Sequence, residues 1–85
     1  MIIKIKDEIN TALDFNQSAT EFITKINGLN ELEFIIDFEG IIFISRSFAQ
    51  AYYASKKRSP KKITEINLSD DVKPMMEMIE KQLMF

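Results

Sequence analysis

The sequence predicts an α/β domain: a small single-layer sheet, mixed or mainly parallel, packed with about three helices. Two observations carry this. The apolar pattern switches along the chain in the order strand, helix, strand, helix, strand, helix. And 85 residues with only 2 Gly and 2 Pro leave room for a single domain, residues 1–85, with short loops.

The first strand is carried by Ile2, Ile3 and Ile5, with Lys4 and Lys6 set between them. Residues 7–15 are polar and irregular, although Ala12, Leu13 and Phe15 form a short extended candidate. Ser18-Ala19-Thr20-Glu21 has the spacing of a capping box, in which a hydroxyl and a carboxylate satisfy free amides reciprocally. Ala19, Phe22, Ile23 and Ile26 then recur on one helical face, predicting a helix over 18–27 that Asn27-Gly28 stops. Leu32 to Phe38 is almost continuously apolar around Phe34, Ile35 and Ile36, the pattern of a strand covered on both faces. Glu39-Gly40 breaks it, and Ile41–Ile44 reads equally as the return arm of a hairpin or as a buried loop.

Ser45 is placed to cap a helix in which Phe48, Ala51, Tyr52 and Ser55 recur at helical spacing, ending at Lys56-Lys57-Arg58 before Pro60. Adjacent Tyr52 and Tyr53 point to different sides of that helix, so one is expected in the core and Tyr53 at the surface. Ile63, Ile66 and Leu68 predict a last strand. Asp71 is the expected cap of a final helix, with Pro74 in its amide-free first turn. Val72, Met75, Met76, Ile79 and Leu83 form its apolar stripe, while Met78, Met84 and Phe85 fall off that stripe or at the frayed end.

Composition narrows the chemistry. A net charge of −2 gives the whole molecule no electrostatic pull toward nucleic acid. Without Cys or His the chain lacks thiol chemistry, disulfides, the commonest general base and the commonest metal ligand. There is no phosphate-cradling glycine loop, no zinc spacing and no nucleophile–base pair. Asp37 and Glu39 bracket a strand end but lack a third oxygen ligand. A non-enzymatic protein without cofactor or metal is expected. No apolar run approaches the roughly 20 residues of a membrane span, and the lysine-interrupted start does not read as a signal peptide, so a cytoplasmic protein is expected.

Two clusters remain as binding candidates. The helix start Ser45-Arg46-Ser47 offers unpaired amides and the positive end of a helix dipole. Lys56, Lys57, Arg58, Lys61 and Lys62 can meet a phosphate backbone or an acidic protein, but cations at a helix C-terminus also simply complement its dipole.

Phe34-Ile35-Ile36-Asp37-Phe38, followed by Phe43-Ile44-Ser45-Arg46-Ser47-Phe48-Ala49, resembles the STAS family, the fold of bacterial anti-sigma-factor antagonists. The likeness is greatest to its small STAS-like members, whose helix opens with a Ser-x-Ser-Phe-Ala type sequence. The resemblance implies a regulatory protein-interaction module binding through Ser45, Arg46, Ser47 and Phe48. Its implied partner is a histidine-kinase-like ATPase or an anti-sigma-type protein, and its implied phosphorylation site is Ser47. Where antagonists of the family carry Asp-Ser-Ser-Gly, this chain has Ser45-Arg46-Ser47-Phe48. The alternative is a small nucleic-acid-associated protein using the basic loop 56–62.

Overall fold

The computed structural model describes residues 1–83. Along the chain run β1 (Ile2–Lys4), α1 (Ile5–Glu8), β2 (Ala12–Leu13), α2 (Asn16–Asn27), β3 (Glu33–Asp37), β4 (Phe43–Ile44), α3 (Arg46–Arg58), β5 (Lys62–Ile66) and α4 (Lys73–Gln82). The main sheet has the order β1-β3-β5 and is parallel throughout, and β2 and β4 form a separate parallel pair. Parallel neighbours need long crossovers, which α2 and α3 supply. The expected sheet is therefore of the mainly parallel kind. Three long helices accompany it, and a fourth, the one-turn α1, stands where the sequence suggests the end of the first strand. Ile5 leaves the strand there and is wholly buried as the first residue of α1.

The core lies on one face of the sheet. Phe34 and Ile36 of β3 and Ile63 of β5 meet Phe22, Ile23 and Ile26 of α2 and Phe48, Ala49 and Tyr52 of α3. On the opposite face one register row holds Ile2, Ile35 and Thr64, all exposed, with Ile2 at 65%. The continuous apolar run of β3 is thus not covered on both faces: from Glu33 to Ile36 burial alternates as in a half-covered sheet, and only Asp37 at the strand end breaks the period.

Local starts and stops differ from expectation where tertiary contacts intervene. Helix α2 begins at Asn16, and Phe15 occupies its cap position without a side-chain hydrogen bond. Ser18 lies inside the first turn and Glu21 accepts from Gln17, so the capping box does not form. The reason lies in β2, whose pairing with β4 fixes the chain up to Leu13 and launches the helix earlier. Gly28 ends α2 as anticipated, its amide donating to the Thr24 and Lys25 carbonyls. Helix α4 begins at Lys73 after Val72, and the Ser69 carbonyl, rather than Asp71, accepts from the Val72 and Lys73 amides. Pro74 sits in that first turn, where its missing amide removes no bond. Val72, Met76 and Ile79 are fully buried, Met75 and Leu83 pack against them, and Met78 is exposed. Met84 and Phe85 lie outside the described residues.

Both tyrosines of α3 are buried, contrary to the expectation for Tyr53. Helix α4 packs beside α3 and covers its second flank, so a wider arc of α3 is enclosed than a single apolar stripe suggests. The two rings meet edge to face with centroids 5.3 Å apart.

At the end of β3, Asp37 Oδ1 accepts from the Glu39 amide at 2.9 Å and from Asn67 Nδ2 at 3.0 Å. It thereby fixes the turn out of β3 and holds Asn67 at φ 59°, where the chain leaves β5. These bonds, with Lys4 and Lys6 near by, hold the Asp37 carboxyl below the usual aspartate value. A depressed folded pKa contributes stability that is present above the unfolded value of about 4 and is lost as pH falls through the lower folded one. Asp37→Asn is expected to weaken the fold at pH 7, with the difference from wild type shrinking by pH 3. Urea titrations at the two pH values check this, and an unchanged difference would rule out the charge as the cause.

Candidate functional site

The site is the start of α3, and the small sheet builds it. Phe43 is registered beside Ala12 and Ile44 beside Leu13. The Ile42 amide donates to the Thr11 carbonyl and the Ser45 amide to the Leu13 carbonyl, each at 2.9 Å. Residues 41–44 are therefore neither a hairpin arm nor a plain buried loop, but a parallel partner of β2. Within this segment Ile41 and Ile44 are buried, while Ile42 and Phe43 are exposed at 67% and 48%.

Ser45 caps α3 as its sequence position suggests, its Oγ accepting from the Phe48 amide at 3.0 Å. The same hydroxyl donates to the Asp14 carbonyl at 2.7 Å. An N-cap of this kind contributes about 1 kcal/mol, and the second bond ties the helix start to the segment leading into α2. With donor and acceptor both engaged, Ser45 positions the site rather than offering a free hydroxyl. Arg46 and Ser47 are exposed, with no side-chain hydrogen bond or ion pair among the described residues.

Phe48 does not share that surface. It is fully buried and lies nearly parallel to Tyr52, with ring centroids 6.3 Å apart. One step past Ser47, the helical turn swings its side chain inward. Phe48 is corrected from a contact residue to the floor beneath the site. In place of it the surface has Ile42 and Phe43, which sequence reasoning passed over because "IIFI" carries no period that separates its inner from its outer residues.

The basic cluster is largely engaged within the fold. Lys56 Nζ holds both Glu65 carboxylate oxygens at 2.9 and 3.0 Å. Lys57 donates to the Leu83 carbonyl, and Lys61 donates to the carbonyls of Leu29 and Glu31. Lys62 stands 3.8 Å from Glu33 across the sheet. Only Arg58 of the five lacks a partner among the described residues. Burial pushes the hydroxyls of Tyr52 and Tyr53 well above the ordinary tyrosine range, so both stay protonated and neutral. No group of three metal-ligating side chains occurs among the described residues, Asp37 and Glu39 included.

Fold and site together define a small α/β domain in which a parallel strand pair leads into a capped helix start, with bare Ile42 and Phe43 just before it in the chain. Comparison with family models, with characterised proteins and with solved structures gives no match for this chain. Among the described residues no helix is long and apolar enough to cross a membrane.

Proposed function

We propose that this chain is a cytoplasmic, non-catalytic protein-interaction module of the STAS-like kind, which meets its partner through the start of α3. One observation carries the reading: exposed Ile42 and Phe43 just before the Ser45 cap and exposed Arg46 and Ser47 just after it put apolar side chains and a cation on either side of a capped helix start. Arginine and aromatic side chains supply much of the binding energy of protein interfaces. The partner implied by the resemblance is a histidine-kinase-like ATPase or an anti-sigma-type protein. Phosphorylation of Ser47 would bring close to two negative charges to the first turn of α3, where the helix dipole accommodates them. The switch would therefore act on the bound partner and leave the domain folded. The rival role in nucleic-acid binding has little support, because three of its five cations, Lys56, Lys57 and Lys61, already donate to oxygen atoms of the chain itself.

The test is affinity capture from the native organism's lysate with wild-type, Arg46→Glu, Phe43→Ser and Ser47→Asp baits. The expected result is a protein retained by wild type and lost with Arg46→Glu and Phe43→Ser. Loss with Ser47→Asp adds the phosphoswitch. Identical retention by all four baits would exclude this surface.

A further inference from the structure

A second surface lies along α1 and α2. Two adjoining concavities of about 360 and 330 Å³ share Ile9 and Ser18 and run from Phe15 to Lys25. Their α2 side is formed by Phe15, Ser18, Phe22 and Lys25, positions three or four apart on one face of the helix, which gives a groove about 15 Å long. Its apolar lining comes from Ile9, Ala12, Phe15 and Phe22. Its rim carries the carboxylates of Glu8, Asp14 and Glu21 against one cation, Lys25, which is paired with Glu8 at 2.8 Å.

Phe15 is the informative residue. It holds the cap position of α2, where a side-chain oxygen would satisfy a free amide, and it supplies none. Nor does it bury itself in exchange, since 73% of it is exposed. A bare aromatic ring at the mouth of a groove rimmed by carboxylates is material for a contact outside the free molecule.

We propose that this groove docks a basic amphipathic helix of a protein partner. The groove length matches about three helical turns, so apolar residues at i, i+3 or i+4 and i+7 can reach Phe15, Ile9 and the edge of Phe22. Lysines or arginines flanking that stripe meet Glu8, Asp14 and Glu21, and one of them can take the place of Lys25 on Glu8. An acidic helix is repelled by the same rim. The inference does not rest on the α3 surface.

The probe is a labelled peptide of about 15 residues, leucine on one helical face and lysine elsewhere, with a leucine–glutamate peptide of the same pattern beside it. Amide shifts in a two-dimensional NMR titration locate binding, and fluorescence anisotropy gives affinity. Binding of the lysine peptide alone, with shifts concentrated between residues 8 and 25, is expected. Affinity should fall about tenfold with Phe15→Ser and with the double variant Asp14→Lys, Glu21→Lys, and stay unchanged with Ser47→Ala. These side chains are exposed, and an undisturbed spectrum of each free variant confirms its fold. No binding, shifts centred elsewhere, equal binding of the glutamate peptide, or affinity indifferent to both variants would each overturn the proposal.

Discussion

Replacing Lys56 with Met is expected to destabilise the domain by about 3 kcal/mol, the low end of what removing one member of a buried ion pair does. Glu65 comes from β5 on the covered face of the sheet, and only 9% of its side chain is exposed. Its carboxylate is held by Lys56 and by the Tyr52 hydroxyl, which donates at 2.9 Å. With the ammonium gone, the carboxylate keeps one neutral donor in a largely dry setting. Lys56 itself retains 24% exposure, so water recovers part of the loss, which sets the value at the low end. The double variant Lys56→Met, Glu65→Met should regain only part of the stability: two apolar side chains need no partner, but the buried Tyr52 hydroxyl loses its acceptor. Urea titrations of wild type, both single variants and the double variant form the cycle. A Lys56→Met change under about 0.5 kcal/mol would mean the pair behaves like a surface ion pair.

Phe48→Ala should cost about 3–5 kcal/mol, as for other buried Phe truncations. The ring is fully enclosed and lies against Tyr52, whose own ring meets Phe38 edge to face. Truncation opens a cavity under the first turn of α3, and the loss is a large share of the roughly 5–15 kcal/mol that stabilises a typical domain. Phe48→Leu should cost far less. Calorimetric melting of the two variants separates these outcomes. Equal melting temperatures for Phe48→Ala and wild type would return Phe48 to the surface, where the motif alone suggests it.

The features legible in the sequence are those set by local chemistry. Strong apolar periodicity marks α2, α3 and α4, and the serine hydroxyl at Ser45 caps as its position suggests. The features that were not legible depend on neighbours distant in sequence. The capping box at Ser18 and Glu21 has the right residues, but β2 pairing starts the helix before it. Tyr53 is enclosed because α4 arrives on that side of α3, which adjacency to Tyr52 does not reveal. The lysines of the basic cluster look free in sequence, yet find carbonyls and carboxylates as far as 32 residues away. At the candidate site, Arg46 and Ser47 were readable as a helix start, whereas the bare Phe43 beside them depends on which way a two-residue strand turns.

The order β1-β3-β5 also bears on how the chain reaches this fold. Register partners Ile2 and Ile35 lie 33 residues apart, and Glu33 and Lys62 lie 29 apart, so no pair of main-sheet strands closes as a local hairpin. Each ladder repays its loop-closure entropy only once an intervening helix has collapsed against β3. Both ladders share β3, so the loop-closure cost of each falls on pairing with that one strand. The bonds at its end, from Glu39 and Asn67 to Asp37, tie the exit of β3 to the exit of β5, so one carboxylate closes a loop of about 30 residues.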